Sequence, residues 1–363
     1  MIATAPIPAD TILIHTPKSL VVPHSDEQCR NVQLIIDELK LGTKSKWYPY
    51  FEFDDSSGSR LPTQWDGIAT RELQGLPPSG ETHRHIIWYQ GTCKNGNEMT
   101  DLDWRGLLMF LTRASDIGLV PMYSLLNHHN GLINTKLQRD DRGGLAVIAL
   151  TDISANEPIY LTYARSGTES TIDIFNTYGF VEDYPQLWRW SDEKLVRLLQ
   201  GDHGHAYDRY GVSYPDLHPD DRSHFQPNNE QYEILVISPT LAALSPTKHL
   251  VATLGNAQRT LQEWAKLITV HHINLRYSHA NTIHDSAMAM LNKLPTTIEE
   301  DEMLVWNKKM RLDKLQQMEG GRVDVNEADV IQAIEYRLAF KKALRMAVEV
   351  AGRAKFLAAS EEL

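Results

Sequence analysis

Residues 119–181 constrain the fold of this chain most, because the apolar runs of this stretch end in polar and glycine-containing motifs. The apolar run 119–126 leads directly into Asn127-His128, and the strand-like segment 159–163 follows further along the chain. The stretch closes on Tyr178-Gly179-Phe180, where a glycine between two aromatic residues is typical of a sharp bend. The pattern predicts two backbone segments that converge on one pocket, with the rest of the chain supporting it.

β-Strand patterns lie on both sides of this stretch. Thr11–Ile14 and Leu20–Val22 are β-branched and apolar, and Thr16-Pro17-Lys18-Ser19 between them has turn chemistry. Leu145–Leu150 is a third apolar run, and Tyr232–Ser238 is a fourth. We expect a strand in each of the first three segments and a strand or an extended run in the fourth.

Helical periodicity separates the first two predicted strands from the central stretch. In Asp26–Leu41, the apolar residues Val32, Ile35, Ile36 and Leu39 fall on one helical face. Trp104–Arg113 repeats the pattern. Residues 25–118 are therefore predicted to form a mainly helical insertion between two β-rich pieces.

The chain after Trp188 is predicted to be mostly helical. Ser191 is a candidate N-cap, and Thr297 with Glu300 three residues later forms the pattern of a capping box. A long helix is expected from about Glu327 to Lys355, with an apolar stripe that only Arg337 interrupts. These patterns predict an α+β protein with a β-rich domain at 1–187 and a helical domain at 188–363.

Composition narrows the class of protein. The 363 residues carry a net charge of −11, which argues against nucleic-acid binding. No apolar run reaches the roughly 18 residues of a membrane span, and the N-terminus lacks the features of a signal peptide. Cys29 and Cys93 are the two cysteines, which argues against a disulfide framework and suits a reducing compartment. We therefore expect a cytoplasmic or nuclear protein, with the chloroplast not excluded.

The 15 histidines do not predict a metal site. His83 and His85, like His203 and His205, are two residues apart, and His128-His129 and His271-His272 are adjacent. None of these pairs has a recognised ligand spacing. The chain also lacks the phosphate-binding loop, the dinucleotide-binding glycine motif and the serine-hydrolase elbow.

In its order of motifs the whole chain resembles the SET-domain protein methyltransferases of the Rubisco large-subunit lysine methyltransferase branch. Residues 119–128 look like a cofactor segment of that family, residues 155–163 like its Gly-Glu strand ending in tyrosine, and residues 178–181 like its closing motif. Residues 25–118 are similar to the helical insertion of the branch. The predicted helices after Pro295 are similar to its substrate-binding domain.

This resemblance implies S-adenosylmethionine as cofactor, a protein as substrate and a monomeric enzyme. Asn127 and His128 would hold the adenine through side-chain and backbone hydrogen bonds, and Phe180 would pack on it. Arg113 would lie near the carboxylate of the cofactor. Ser124, Leu125 and Leu126 would line the same segment.

The resemblance also assigns catalytic roles. Tyr178 would orient sulfur, methyl and acceptor nitrogen, Tyr163 would stand across the channel, and Tyr123 would wall the target side chain. A lysine with a pKa near ~10.4 must lose a proton before it attacks, whereas a histidine near ~6.5 is mostly neutral at pH 7. Two tyrosine hydroxyls favour lysine, because they provide a route for that proton.

Two alternatives remain. Residues 127–135 are locally similar to the actin-histidine methyltransferase, although that enzyme lacks a tyrosine matching Tyr178 and has tryptophan in place of Tyr123. The first cofactor motif of the family, a Gly-x-Gly turn, should precede Ile2 but is absent from this sequence, and Ala164 replaces a glycine that usually follows the Tyr163 position. A catalytically inactive SET-like binding module is therefore the second alternative.

Overall fold

The structure is a computed structural model, in which two packing units are distinguished. It describes residues 1–54, 60–65, 67–76, 84–163, 170–191, 231–238, 241–245, 277–318 and 325–361. Unit 1 comprises residues 1–64, 82–165 and 174–182, and unit 2 comprises residues 65–81, 166–173 and 183–363. The division of the chain into functional domains at 1–187 and 188–363 stays a prediction.

The main sheet of unit 1 contains three antiparallel strands. They are β1 (Ile12–Thr16), β5 (Thr135–Arg139) and β6 (Leu145–Ala149). All five residues of the central strand β6 are buried, which explains its continuous apolar run. The predicted strands near residues 11–14 and 145–150 are thus confirmed.

The remaining strands of unit 1 are short. β2 (Ala114–Ser115) pairs with β3 (Gly118–Leu119), and β4 (Asn127–His128) pairs in parallel with β7 (Tyr160–Leu161). The first residues of the chain also pair with the segment before β7, through bridges from Ile2 to Pro158 and from Ile7 to Ile153.

The predicted strand at Leu20–Val22 was wrong. Lys18–Leu20 forms a 3₁₀ turn that begins after Pro17, whose φ is −65°. Val22 makes one isolated bridge to Leu119. Val21 and Val22 are buried, so their apolar character serves the core without a strand.

The insertion is mainly helical, as predicted. Its helices in unit 1 are α1 (Gln28–Leu41), α2 (Tyr48–Asp54), α4 (Arg84–Trp88) and α5 (Asp101–Arg113), and Tyr89–Cys93 continues α4 as a π-helix. α1 and α5 pack closely because Gly106 leaves room for Ile36, whose Cγ1 would lie 2.5 Å from an added Cβ. Val32 and Leu107 are buried at the same contact.

Cys29 and Cys93 form a disulfide, with their Cα atoms 5.4 Å apart. From the count of two cysteines we expected no disulfide framework and a reducing compartment. α1 and the π-helix bring the two residues together across 64 positions of sequence, a proximity that spacing alone does not reveal. The expected compartment stays a prediction.

Unit 2 combines a small sheet with helices. β8 (Gln186–Ser191), β9 (Gln231–Ser238) and β10 (Leu241–Ser245) are antiparallel in the order β10-β9-β8. The prediction for residues 232–238 is confirmed. Ser191 ends β8, and because the residues directly after it lie outside the described part of the chain, its role as an N-cap stays a prediction. β8 pairs with β9, and its Trp188 is fully buried against the rings of Tyr336 and Phe340.

The described helices of unit 2 are α3 (Gly67–Glu72), α7 (Tyr277–Lys293), α8 (Ile298–Met318) and α9 (Val325–Glu361). The capping box before α8 is confirmed, since the Glu300 N–H donates to Thr297 Oγ1 and the Thr297 N–H donates to the Glu300 carboxylate. The long helix predicted near residues 327–355 is also confirmed. Among the described helices, none combines the length and apolar content that a membrane span requires.

A buried charge cluster connects three helices of unit 2. Arg337 and Lys341 of α9 both donate to Asp301 of α8, with Nη2–Oδ1 and Nζ–Oδ2 distances of 2.6 and 2.7 Å, and Arg337 also pairs with Glu72 of α3. Burial alone would raise the pKa of Asp301, but the hydrogen bonds from both cations outweigh it and lower that pKa. Arg337 therefore interrupts the apolar stripe because it has a buried partner.

Candidate functional site

The two motif segments meet in unit 1 through the parallel pair of β4 and β7. Asn127 lies opposite Tyr160, and His128 lies opposite Leu161. The next residue, His129, donates its backbone N–H to the Leu161 carbonyl over 3.0 Å. This pairing places the end of the Asn-His motif beside the strand that leads to Tyr163.

Tyr163 is held at both ends. Its backbone N–H donates to His128 Nδ1 over 2.9 Å, and its hydroxyl donates to the Leu126 carbonyl over 2.8 Å. Burial raises the pKa of the Tyr163 hydroxyl to about 12; the positive charge of Arg113 opposes this rise and Tyr178 adds to it. The hydroxyl is therefore protonated at neutral pH and can serve as a donor.

Tyr178, Gly179 and Phe180 bring two more rings to the same place. Tyr178 is the last residue of α6 (Thr171–Tyr178), and Gly179 turns the chain with a φ of +79°, which favours glycine. The Tyr178 ring centroid lies 4.6 Å from that of Tyr163, and Phe180 lies 6.4 Å from both. The predicted convergence of the two segments is therefore found in the structure.

His128 packs behind these rings. Its ring centroid is 5.2 Å from Tyr163 and 6.2 Å from Phe180, and its Nε2 lies 2.9 Å from Glu182 Oε2. The side chains of His128 and Glu182 are 0% and 1% exposed. Sequence reasoning missed Glu182, because an acidic residue two positions after the Tyr-Gly-Phe motif carries no signal of its distant partner.

Ser124 is fixed by two contacts from the insertion helices. Arg113, at the end of α5, donates from Nη1 to the Ser124 carbonyl over 2.6 Å, and the Tyr50 hydroxyl lies 2.7 Å from Ser124 Oγ. Met122, just before this segment, has a φ of +68°. A left-handed methionine is strained, so these contacts hold the segment in a conformation that it would not adopt alone.

The other predicted residues differ in exposure. Asn127 is exposed and Leu125 is half-buried, whereas Leu126 is fully buried with Leu161. Tyr123 packs against the same apolar cluster. Leu126 therefore reaches the site through its carbonyl, and the proposed contact between Tyr123 and a target side chain stays a prediction.

Within the described residues, no group of three or more His, Cys, Asp or Glu side chains could hold a metal ion. His83, His203, His205, His271 and His272 lie outside the described residues, as does Ala164.

The SET domain family model matches residues 1–164. Solved structures of Rubisco LSMT share the fold of this chain. One, described as the SET domain of LSMT bound to lysine and AdoHcy, is 16% identical with a TM-score of 0.54, and the match covers 98% of this chain and 84% of that one. Another, Rubisco LSMT bound to sinefungin and monomethyllysine, is 17% identical with a TM-score of 0.55, covering 98% and 85%. No curated protein sequence matches the chain.

These matches confirm the expected fold class, and residues 1–164 match the SET domain that the resemblance predicted. The SET domain lies in the part of the chain where the β-rich domain was predicted. The likeness to LSMT structures extends over nearly the whole chain and includes the helical C-terminal part. At this level of identity the likeness establishes the fold.

Proposed function

We propose that this chain is an S-adenosylmethionine-dependent methyltransferase that transfers a methyl group to a lysine side chain of a protein substrate. The observation that carries the proposal is the ring arrangement of Tyr163 and Tyr178, with centroids 4.6 Å apart beside Phe180. This arrangement stands in a chain whose first 164 residues match the SET domain. A solved LSMT structure of the same fold is described as bound to AdoMet.

The residues at the adenine end fit the cofactor. Asn127 is exposed at β4, so its amide can donate to and accept from an adenine ring, and the half-buried Phe180 offers a face for stacking. The ring of His128 is engaged by Glu182 and Tyr163, which leaves the backbone of His128 for the cofactor. When bound, the cofactor supplies the methyl group from a positively charged sulfur.

Positioning is the main task of the remaining residues, because direct methyl transfer depends on alignment. The Tyr163 hydroxyl uses its proton on the Leu126 carbonyl, so its oxygen can still accept a hydrogen bond from an amine. A lysine amine buried beside these rings would lose hydration, and this desolvation disfavours its charged ammonium form. Tyr178 would direct the neutral nitrogen towards the methyl carbon.

The acceptor follows from the same pair of hydroxyls. A lysine must lose a proton before it attacks, and the hydroxyls of Tyr163 and Tyr178 provide two oxygens that can accept hydrogen bonds from the amine while the proton leaves to water. A histidine acceptor is mostly neutral at pH 7 and has less need of them. We therefore favour lysine, with a protein as substrate and with the monomeric, cytoplasmic or nuclear enzyme that the sequence predicts.

Calorimetry with S-adenosylmethionine tests the cofactor first. We expect saturable binding by the wild type and weakened binding by Asn127→Ala, with Asn130→Ala as the matched control outside the proposed contact. If the folded protein shows no binding, the enzyme is ruled out and the chain is a SET-like binding module.

Methyl transfer from a labelled cofactor to lysate proteins, followed by mass spectrometry, then tests the acceptor. We expect the label on lysine side chains and its absence when Tyr178→Phe replaces the wild type. Label on histidine would instead establish the actin-type alternative, which the local similarity of residues 127–135 motivates.

A further inference from the structure

Unit 1 contains a buried acid-imidazole pair that the proposed reaction does not use directly. Glu182 is 3% exposed and His128 is 9% exposed, and the two are in hydrogen-bond contact. Burying a carboxylate is unfavourable unless strong hydrogen bonds compensate for lost hydration. The cost of burying this pair raises the question of what it does behind the aromatic rings.

The hydrogen bonds of His128 fix the position of its proton. Because the Tyr163 N–H donates to Nδ1, that nitrogen must carry a lone pair. A neutral ring then bears its proton on Nε2, which faces the Glu182 carboxylate at 2.9 Å. The three groups form one chain of donors and acceptors, from the Tyr163 amide through the imidazole to Glu182.

This chain of bonds ends on a residue of the proposed reaction. Tyr163 lies just after β7, and its hydroxyl provides a second hydrogen bond, to the Leu126 carbonyl. Glu182 follows Tyr178 by four residues, so the same contact ties the segment of Tyr178 to that of His128. The ring contact between Tyr163 and Tyr178 thus depends on two hydrogen bonds of His128, one from the Tyr163 amide and one with Glu182.

We propose that Glu182 is a positioning residue, which acts through His128 to hold the backbone of Tyr163 and keep its ring opposite Tyr178. The carboxylate selects the tautomer of His128 that can accept from the Tyr163 amide, as buried carboxylates do for orienting imidazoles. The consequence for catalysis rests on the proposed function. The selection of the tautomer does not, and it can be measured in the absence of turnover.

The test compares Glu182→Leu, Glu182→Gln and Asp183→Asn. Leucine removes the acceptor, glutamine keeps an oxygen that can accept from Nε2–H, and Asp183 is the adjacent exposed acid that controls for net charge. We expect kcat to fall about 100-fold in Glu182→Leu through misplacement of Tyr163. The KM for the cofactor should stay within about twofold, Glu182→Gln should recover most of the rate, and Asp183→Asn should match the wild type.

The ¹⁵N chemical shifts of His128 and the amide signal of Tyr163 provide the readout that a merely structural role would not change. We expect the Nε2–H tautomer in the wild type and in Glu182→Gln, and a mixed tautomer with a shifted Tyr163 amide in Glu182→Leu. An Nδ1–H tautomer in the wild type would overturn the proposal, and this result needs no variant to fold. A folded Glu182→Leu protein with unchanged tautomer and unchanged kcat would overturn it as well.

The two proposals fail in distinguishable ways. A wild type that binds cofactor and transfers no methyl to any lysate protein contradicts the proposed function, while the ¹⁵N shifts still report on the hydrogen bonds. A wild type that transfers methyl but shows the other tautomer contradicts the role of Glu182 alone.

Discussion

Unit 1 and unit 2 each bury a carboxylate with basic partners, but the two clusters hold different parts of the molecule in place. In unit 1, Glu182 contacts His128, and His128 accepts a hydrogen bond from the backbone N–H of Tyr163. In unit 2, Asp301 contacts Arg337 and Lys341, and the cluster extends to a third helix through Glu72. The first cluster braces a group of aromatic rings, and the second braces a helix bundle.

A buried charge therefore does not by itself identify a functional site. Asp301 has a lowered pKa and nearly complete burial, the features often used to find active sites. The described contacts of Asp301 nevertheless hold α8 and α9 together. What the charged group positions is therefore more informative than how strongly the group is perturbed.

Asp301→Ala should have the largest effect on stability. The change leaves Arg337 and Lys341 buried without their shared carboxylate, and breaking a buried pair in this way costs about 3–5 kcal/mol. Urea denaturation would measure this loss in the free energy of unfolding. If the helix-bracing role is right, the folded variant should keep the cofactor affinity of the wild type.

Glu302→Ala is the matched control for this change. Glu302 is the next residue of α8 and pairs with Lys342 at 2.7 Å, but its side chain is 51% exposed. Exposed pairs contribute about 0–1 kcal/mol. Equal losses in the two variants would show that the buried cluster is no more important to unit 2 than a surface pair, and would remove the contrast with unit 1.

Tyr178→Phe should have the opposite effects from Asp301→Ala, with a large loss of activity and a small loss of stability. It removes one hydroxyl at a half-buried position and keeps the ring that packs on Tyr163 and Phe180. We expect kcat to fall by about 100-fold or more, because alignment of the acceptor is lost, while the free energy of unfolding changes by less than about 1 kcal/mol. Kinetics and urea denaturation on the same samples would measure both, and an unchanged rate would remove Tyr178 from the mechanism.

The regular parts of the molecule could be predicted from the sequence because local rules decide them. The long helix α9 follows from its apolar stripe, and the start of α8 follows from the spacing of Thr297 and Glu300. The meeting of the Asn-His and Tyr-Gly-Phe motifs was also predicted, because an apolar run ends at Asn127 and a glycine bend follows at Gly179.

Features set by distant contacts could not be predicted. Glu182 gains its role from His128, 54 positions earlier, and Cys29 meets Cys93 through the packing of the insertion. Leu20–Val22 has strand-forming residues, but the core uses Val21 and Val22 without pairing them into a strand. In each case a tertiary contact either overrides the local sequence preference or decides where no local preference exists.

Gly179→Ala tests the turn that joins the rings of unit 1. An alanine Cβ would lie 3.4 Å from the Arg60 carbonyl oxygen, which is tolerable, but the φ of +79° is not. A left-handed alanine costs about 1–2 kcal/mol, and we expect a loss of that size in urea denaturation. Gly352→Ala is the control, since Gly352 lies inside α9 with open space around it and alanine there should add about 0.5–1 kcal/mol. The same sign at both positions would contradict the argument from φ.

Thr297→Ala should have the smallest effect on stability, and it separates the contribution of the α8 N-cap from that of the buried cluster. The change removes the side chain that accepts from the Glu300 N–H, while Lys341 still reaches Asp301 and Thr296 Oγ1. Loss of an N-cap costs about 1 kcal/mol, which urea denaturation would resolve. Thr297 and Glu300 are exposed, so water replaces the lost bond, whereas water cannot reach Arg337 and Lys341 when Asp301 is removed. A loss as large as that of Asp301→Ala would mean that the start of α8, rather than the buried carboxylate, holds the bundle together.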